Sequence, residues 1–198
     1  MLGFRDDFDL LAAVADGAFE DPLWSGFLAR LQRATDSDYA SLTFRRPGPP
    51  PHQVIHLYAG ERWPPQVQQR FEDIYGRSDP LPYHALDEGR VYALHELLRF
   101  GDPLHDSYYR EILAPSGMNV LRMLRIVEPG GVNAWLTVSR GHGDFDAGHE
   151  KLMAAVAPYL RAALRSFAAL ERERFNASVA GDAIRRLNFG WFTLDATG

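Results

Sequence analysis

Seven histidines are the side chains of this sequence best suited to metal binding, but their spacing argues against a metal site. The nearest pairs are His52 with His56 and His142 with His149. A separation of four residues brings two histidines to one metal in a helix, yet His52 follows a proline run and His56 enters a predicted strand. His142 lies in a glycine-rich stretch before a predicted helix. We therefore predict no metal site and no cofactor.

Signatures of catalysis are also missing. The stretch GHGDFDAG at residues 141–148 lacks the G-x-G-x-x-G spacing of a dinucleotide site and follows a hairpin strand rather than opening a βαβ unit. No G-x-S-x-G motif occurs, and the chain has no cysteine to serve as a nucleophile or thiolate ligand. We predict no catalytic residues, and an enzyme remains a minor alternative.

Composition narrows the class of partner. Lys and Arg total 21 against 26 Asp and Glu, a net charge of −5, which argues against nucleic acid as a direct partner of these 198 residues. The N-terminus MLGFRDDFDLL lacks the features of a signal peptide, and no apolar run approaches the roughly 18 residues of a membrane span. We expect a cytoplasmic protein with no membrane partner.

The elements that would position a site follow from apolar periodicity and turn signals. Helices are predicted over residues 4–15, from an N-cap at Asp21, over 64–75 and 107–113, and from Asp146 to about Ala180. Strands are predicted over residues 39–45, 53–59, 90–92, 120–127 and 132–140, with a proline-rich loop, RPGPPP, between the first two and a Glu-Pro-Gly-Gly hairpin turn between the last two. The sheet therefore has about five strands.

The predicted strands have two chemically different faces, because side chains alternate along a strand. One face is aliphatic, with Ala40, Leu42, Phe44, Ile55, Leu57, Val132, Ala134, Leu136 and Val138. The other mixes aromatic, hydroxyl, imidazole and amide groups, with Tyr39, Ser41, Thr43, His56, Tyr58, Asn133, Trp135, Thr137 and Ser139. We expect the aliphatic face to pack against the terminal helices and the mixed face to line a small-molecule cavity. A mixed face that is merely solvated or filled by its own side chains is the alternative.

Eight residues are predicted to line this cavity: Tyr39, His56, Tyr58, Tyr83, Tyr109, Met123, Trp135 and Thr137. Their aromatic rings favour a small apolar or aromatic ligand, and His56 or Thr137 would orient a polar group on it. Arg122 and Arg125 lie on opposite faces of one strand. Arg122 is expected to form a salt bridge with an acid, with a place in the cavity as the alternative, and Asp79 with Pro80 is expected to form a turn or helix cap.

The last predicted helix carries an apolar seam with the three-and-four spacing of a coiled coil. Its members are Met153, Val156, Leu160, Ala163, Phe167 and Leu170. Because this seam would suit a second copy, we predict a homodimer. Pro158 within the helix removes the hydrogen bond to the carbonyl of Ala154, which predicts either a bend that serves as a hinge or the start of a new helix.

Four stretches together resemble a known family. They are DPLWSGFLARLQRATDSDYASLTF, FEDIYGRSDPL, SYYREILAPSGM and FDAGHEKLMAAVAPYLRAAL. The chain resembles the N-terminal sensor regions of bacterial LuxR-type helix-turn-helix transcription regulators, which are GAF-like and often followed by a PAS-like segment. AIRRLNFGWFTLDATG resembles the opening of that segment.

The resemblance implies a ligand-sensing and dimerisation domain over residues 1–178, the start of a PAS-like segment over 179–198, and DNA binding only through a C-terminal domain outside these residues. It implies no ligand residues, since no invariant motif can be matched. We therefore predict an α+β, GAF-like domain with terminal helices on one face of an antiparallel sheet and a long C-terminal output helix. Its predicted function is small-molecule-responsive transcription regulation. The rival hypothesis is a ligand-free structural dimerisation module.

Overall fold

A computed structural model of the chain describes residues 4–45, 54–76 and 79–186. The proline-rich loop, His52 and the greater part of the predicted PAS-like segment lie outside the described residues. The strands are β1 (Tyr39–Arg45), β2 (Val54–Gly60), β3 (Val91–Ala93), β4 (Val120–Val127) and β5 (Asn133–Arg140). The helices are α1 (Phe4–Asp16), α2 (Ser25–Ala34), α3 (Pro65–Arg70), α4 (Leu94–Leu97), α5 (Pro103–Tyr108) and α6 (Ala147–Arg186). Single π-helical turns, Phe71–Tyr75 and Tyr109–Leu113, extend α3 and α5.

The five strands of the described residues form one antiparallel sheet in the order β2-β1-β5-β4-β3. Its register aligns the polar positions of the mixed face across the sheet. Thr43 of β1 lies opposite His56 on one side and Trp135 on the other. Because facing residues share a side of the sheet, the mixed residues become one continuous surface. The predicted α+β fold is confirmed.

The aliphatic face packs against the terminal helices, as predicted. Leu42, Leu136 and Val138 are fully buried in a core that also contains residues of α1, α2 and α6. Trp24 lies at the centre of this core, with its ring edge-to-face with Phe44 at 5.7 Å. Large rings and branched side chains on this face supply the apolar burial that holds the helices to the sheet.

The start of α2 differs from the prediction. Asp21 was expected to be the N-cap, but the helix begins at Ser25, after a turn that contains a cis Asp21–Pro22 peptide bond. Trp24 occupies the N-cap position with a positive φ of 50°. This backbone conformation accompanies burial of the indole, whose Nε1 donates to the carbonyl of Val14 at 3.0 Å. Burial of a large ring therefore overrides the local capping preference.

The C-terminal helix α6 runs unbroken from Ala147 to Arg186 and passes through Pro158, which excludes the start of a new helix there. Pro158 and its neighbour Tyr159 are on the solvent side, so the missing hydrogen bond falls where water can reach the Ala154 carbonyl. The helix also passes the predicted domain boundary between residues 178 and 179 without interruption.

The apolar seam of α6 requires a correction. Its first five members are buried in the core of the same chain: Met153, Val156, Leu160, Ala163 and Phe167. Leu170 is half-buried. A heptad-like spacing also arises where one helix lies along its own sheet, so the seam is not free to pair with a second copy.

Candidate ligand-binding cavity

The mixed face of the sheet borders a cavity of about 710 Å³. β1, β2, β4 and β5 provide the floor, and α3, its π-helical turn and the segment from Asp79 to His84 provide much of the opposite wall. The cavity reaches solvent beside the edge strand β2, where Val54, His56 and Tyr58 are exposed. The alternative of a sheet filled entirely by its own side chains is therefore wrong, and the volume lies within the range of small-molecule sites.

Seven of the eight predicted residues line the cavity: Tyr39, His56, Tyr58, Tyr83, Met123, Trp135 and Thr137. Strand alternation places Tyr39, His56, Tyr58, Trp135 and Thr137 on one face of the sheet. Met123 lies on the same face because the register pairs it with Thr137. Tyr83 belongs to the opposite wall, and its carbonyl accepts a hydrogen bond from Trp135 Nε1 at 3.0 Å. Contact of these residues with a ligand stays a prediction.

Tyr109 lies outside the lining. Its ring packs edge-to-face against Phe100 at 5.6 Å, and its hydroxyl donates to Asn119 at 3.3 Å. Consecutive residues of a helical turn point about 100° apart, so the two adjacent tyrosines cannot both face the cavity. The preceding residue, Tyr108, is the one that does.

Asp79 is a lining residue that the sequence prediction treated only as a turn or cap. It does form a turn, because its Oδ1 accepts from the Leu81 amide at 2.9 Å, but its Oδ2 also accepts from the hydroxyls of Tyr83 at 2.7 Å and Tyr108 at 3.3 Å. Burial raises the pKa of the Asp79 carboxyl, while these hydrogen bonds oppose that rise. The spacing of Asp79 and Tyr83, four residues apart in DPLPY, was the only sequence signal available.

Trp63 is a second lining residue that the sequence prediction missed. Its ring lies edge-to-face with Phe71 at 5.7 Å, and its indole Nε1 is buried with no hydrogen-bond partner among the described residues. A buried donor without a partner is costly and rare in native proteins. Trp63 borders the cavity but its Nε1 is itself shielded, so an acceptor on a ligand reaches this donor only if the wall rearranges.

His56 is held by two hydrogen bonds from β1. Its Nε2 lies 2.8 Å from the Tyr39 hydroxyl and its Nδ1 lies 2.7 Å from Thr43 Oγ1, so one nitrogen donates and the other accepts. The ring is accessible through the cavity, yet surrounding protein atoms desolvate it and lower the pKa of His56. Burial, and then the neighbouring Tyr58, raise the pKa of the Tyr39 phenol. The pair is therefore neutral at pH 7.

Arg122 and Arg125 have different roles on opposite faces of β4. Arg122 is on the helix side, where it forms the predicted salt bridges, to Glu150 at 2.7 Å and Asp144 at 3.0 Å. Arg125 is on the cavity side and donates to the carbonyl oxygens of His84 at 2.9 Å and Leu86 at 3.0 Å. These two hydrogen bonds connect the segment from His84 to Leu86 to strand β4.

The described residues offer neither a metal-binding cluster nor a membrane-spanning helix. They contain no group of three or more His, Cys, Asp or Glu side chains placed to hold a metal ion. No helix among them combines the length and apolar character that crossing a membrane requires.

Comparisons with known proteins identify the architecture. The N-acylhomoserine lactone-dependent LuxR family transcription factor CepR2 of Burkholderia cenocepacia matches with a TM-score of 0.55 and 18% identity, over 82% of this chain and 96% of that chain. Escherichia coli SdiA matches with a TM-score of 0.57 and 14% identity, over 94% and 84% of the two chains, and another SdiA structure contains octanoyl-rac-glycerol. The GAF domain of a sensor histidine kinase from Pseudomonas syringae matches with a TM-score of 0.51 and 14% identity, over 87% and 94%.

The chain thus has the α+β, GAF-like fold of sensor domains, including those of LuxR-family regulators, as the sequence resemblance implied. No protein-family model matches the sequence, and no curated protein does. At these identities the likeness concerns the fold.

Proposed function

We propose that this chain is the small-molecule-sensing domain of a cytoplasmic transcription regulator of the LuxR type. The observation that carries the proposal is a cavity of about 710 Å³ on one face of the sheet, lined by apolar and aromatic side chains with a few polar atoms directed into it. Three hydrogen bonds from the protein hold the half-buried carboxylate of Asp79 in place, which leaves about one of its four acceptor sites for a donor on a ligand.

The polar atoms of the lining define the ligand we propose. Once the wall rearranges, Trp63 Nε1 offers an unused donor to a carbonyl-like acceptor, and the carboxylate of Asp79 accepts from a donor N–H or O–H. The remaining walls suit an apolar or aromatic body. The N-acylhomoserine lactone on which CepR2 depends and the octanoyl-rac-glycerol bound to SdiA likewise combine a polar head with an acyl chain.

Native mass spectrometry of the purified protein, followed by extraction of bound molecules, tests this function. We expect one small molecule per chain, or, for a protein purified empty, thermal stabilisation by octanoyl amides and esters. Trp63→Phe should weaken this binding about tenfold, because it removes one buried hydrogen bond. Tyr109→Phe is the matched control outside the cavity and should leave binding unchanged. A protein that is empty and stabilised by none of these probes would support the structural module instead.

Output from the domain would pass through α6. Arg161 of this helix forms an ion pair with Glu88, near the segment that Arg125 fastens over the cavity. We propose that this wall and α6 have two arrangements relative to the sheet. A ligand shifts the population toward one of them only if it binds that arrangement more tightly than the other. Pro158 lies among the core-packed turns of α6, between buried Val156 and Leu160, and its missing hydrogen bond weakens the helix there, which is the property of a hinge.

The ligand-dependent change in DNA affinity of the complete regulator tests this step. We expect Pro158→Ala to stiffen α6 and reduce the change in affinity at least severalfold while ligand binding itself is retained. If the ligand changes the DNA affinity of Pro158→Ala as much as that of the wild type, Pro158 has no part in transmitting the signal.

Dimerisation is the remaining part of the proposal. Residues 172–180 of α6 are exposed, and among them Phe175 and Val179 lie four residues apart on one side of the helix. We propose that a second copy packs against this end, since the predicted seam is already buried in its own core. Sedimentation analysis should give a dimer that Phe175→Ser dissociates without loss of the folded monomer. A monomer at all concentrations would contradict this.

A further inference from the structure

Three rings on the floor of the cavity lie nearly parallel to one another. Tyr39 and Tyr58 have ring centroids 5.5 Å apart at an interplanar angle of 18°, and His56 lies 5.9 Å from Tyr58 at 27°. His56 and Tyr39 complete the set at 6.4 Å and 22°. These rings come from the edge strand β2 and its neighbour β1, and we refer to them as the parallel ring array.

The other aromatic pairs around the cavity have a different geometry. Trp63 meets Phe71 at 83°, and Tyr83 meets Trp135 at 71°. In an edge-to-face pair, the hydrogen edge of one ring already covers the negative face of the other. The parallel ring array contains only stacked pairs, and Tyr58, which remains 37% exposed at the opening of the cavity, is its most accessible tyrosine.

Hydrogen bonds fix each ring of the array in its orientation. His56 is held between Tyr39 and Thr43, as described above, and Tyr58 accepts a hydrogen bond from Arg62 Nε at 3.1 Å. A surface that is ordered before its ligand arrives loses less conformational entropy on binding. The array is therefore pre-organised for a planar partner, and neutral His56 can be covered without burying a charge.

We infer that the ligand of this cavity carries a planar aromatic ring, which packs offset and parallel on the array of Tyr39, His56 and Tyr58. A saturated ring or acyl chain would be accepted by the apolar walls but would gain nothing from the common orientation of the three rings. The inference rests on the proposed ligand-binding function and narrows its ligand class.

A matched pair of probes separates aromatic packing from apolar burial. N-(4-phenylbutanoyl)glycinamide and N-(4-cyclohexylbutanoyl)glycinamide share the amide head and the linker, and the saturated ring is the more hydrophobic of the two. Isothermal titration calorimetry on the full chain should give a preference of about tenfold, or about 1.4 kcal/mol, for the phenyl compound, because only its ring adds aromatic contacts with the array.

Two variants of the exposed Tyr58 localise the effect. Tyr58→Leu should abolish the preference for the phenyl compound, while Tyr58→Phe, which keeps the ring and loses only the hydroxyl, should retain most of it. Equal binding of the two compounds by the wild-type protein, or a preference that survives Tyr58→Leu and His56→Gln, would overturn the inference and leave the proposed function intact. Failure of the wild-type protein to bind either compound would count against both.

Discussion

The hydroxyl of Tyr83 donates to the carboxylate of Asp79 across 2.7 Å, inside the cavity and four residues along the chain. Tyr108, from α5, donates to the same oxygen at 3.3 Å. One acid thus joins two segments of the cavity wall. Burial of each group raises the pKa of Asp79, Tyr83 and Tyr108, and the nearby charge of Asp79 raises the pKa of both phenols further. The acid that we propose for ligand recognition also holds part of the wall in place.

Removing the shorter of these hydrogen bonds should destabilise the protein. Tyr83→Phe leaves the carboxylate of Asp79 with one fewer donor in a desolvated position, and the free energy of unfolding should fall by about 1–3 kcal/mol. Tyr109→Phe is the matched control, because its hydroxyl bonds to exposed Asn119, and we expect a change within about 0.5 kcal/mol. Urea denaturation of both variants at pH 7 measures the difference. Equal losses would mean that the Asp79 hydrogen bond contributes nothing specific.

The lowered pKa of His56 predicts a pH dependence of stability. A group whose pKa is depressed in the folded state resists protonation there, so its contribution is intact above the unfolded value of 6.5 and is lost as the pH falls through the folded pKa. His56→Gln has no such titration. We expect the wild type to lose stability relative to His56→Gln between about pH 7 and pH 5. Thermal unfolding of both proteins across this range is the measurement, and parallel curves would show that His56 does not titrate in this way.

Strand alternation made the floor of the cavity predictable from the sequence. The alternation of Asn133, Trp135 and Thr137 with aliphatic residues assigns each side chain to a face without knowledge of the neighbouring strands. Antiparallel pairing then needs only the correct register, which a buried aliphatic face enforces. This is why the six strand residues predicted to line the cavity all do so, although Asn133 and Ser139 at the ends of the same face of β5 do not.

The opposite wall was less predictable because its residues lie in turns and π-helical segments without a simple period. Asp79 and Trp63 acquire their roles only through contacts with Tyr108 and Phe71.

The prediction that the seam of α6 pairs with a second copy failed for a related reason. A helix that packs on its own sheet and a helix that packs on a second copy need the same apolar stripe, so spacing alone cannot separate them.

Leu160 tests the corrected role of that seam. Its side chain is fully buried in the core between α6 and the sheet, so Leu160→Ala should lower the free energy of unfolding by about 2–5 kcal/mol. The loss should be independent of protein concentration, since the contacts are within one chain. Leu170→Ala, at a half-buried position of the same seam, should cost less. If the melting temperature depends on protein concentration for the wild type but not for Leu160→Ala, the seam is part of a dimer interface instead.

Gly17 tests the packing of the helical layer around Trp24. A Cβ atom at Gly17 would lie 2.1 Å from Trp24 Cδ1, well inside van der Waals contact. The indole cannot move aside easily, because Val14 holds its N–H and Phe167 packs against its ring at 5.5 Å. Gly17→Ala should therefore destabilise the protein by about 1–3 kcal/mol or more. At Gly141 an added Cβ would meet its neighbours at 3.7 Å, an ordinary contact, so Gly141→Ala is the control and should stay within about 0.5 kcal/mol. Chemical denaturation of the two variants provides the comparison, and a Gly17→Ala protein as stable as the wild type would mean that Trp24 can repack within this core.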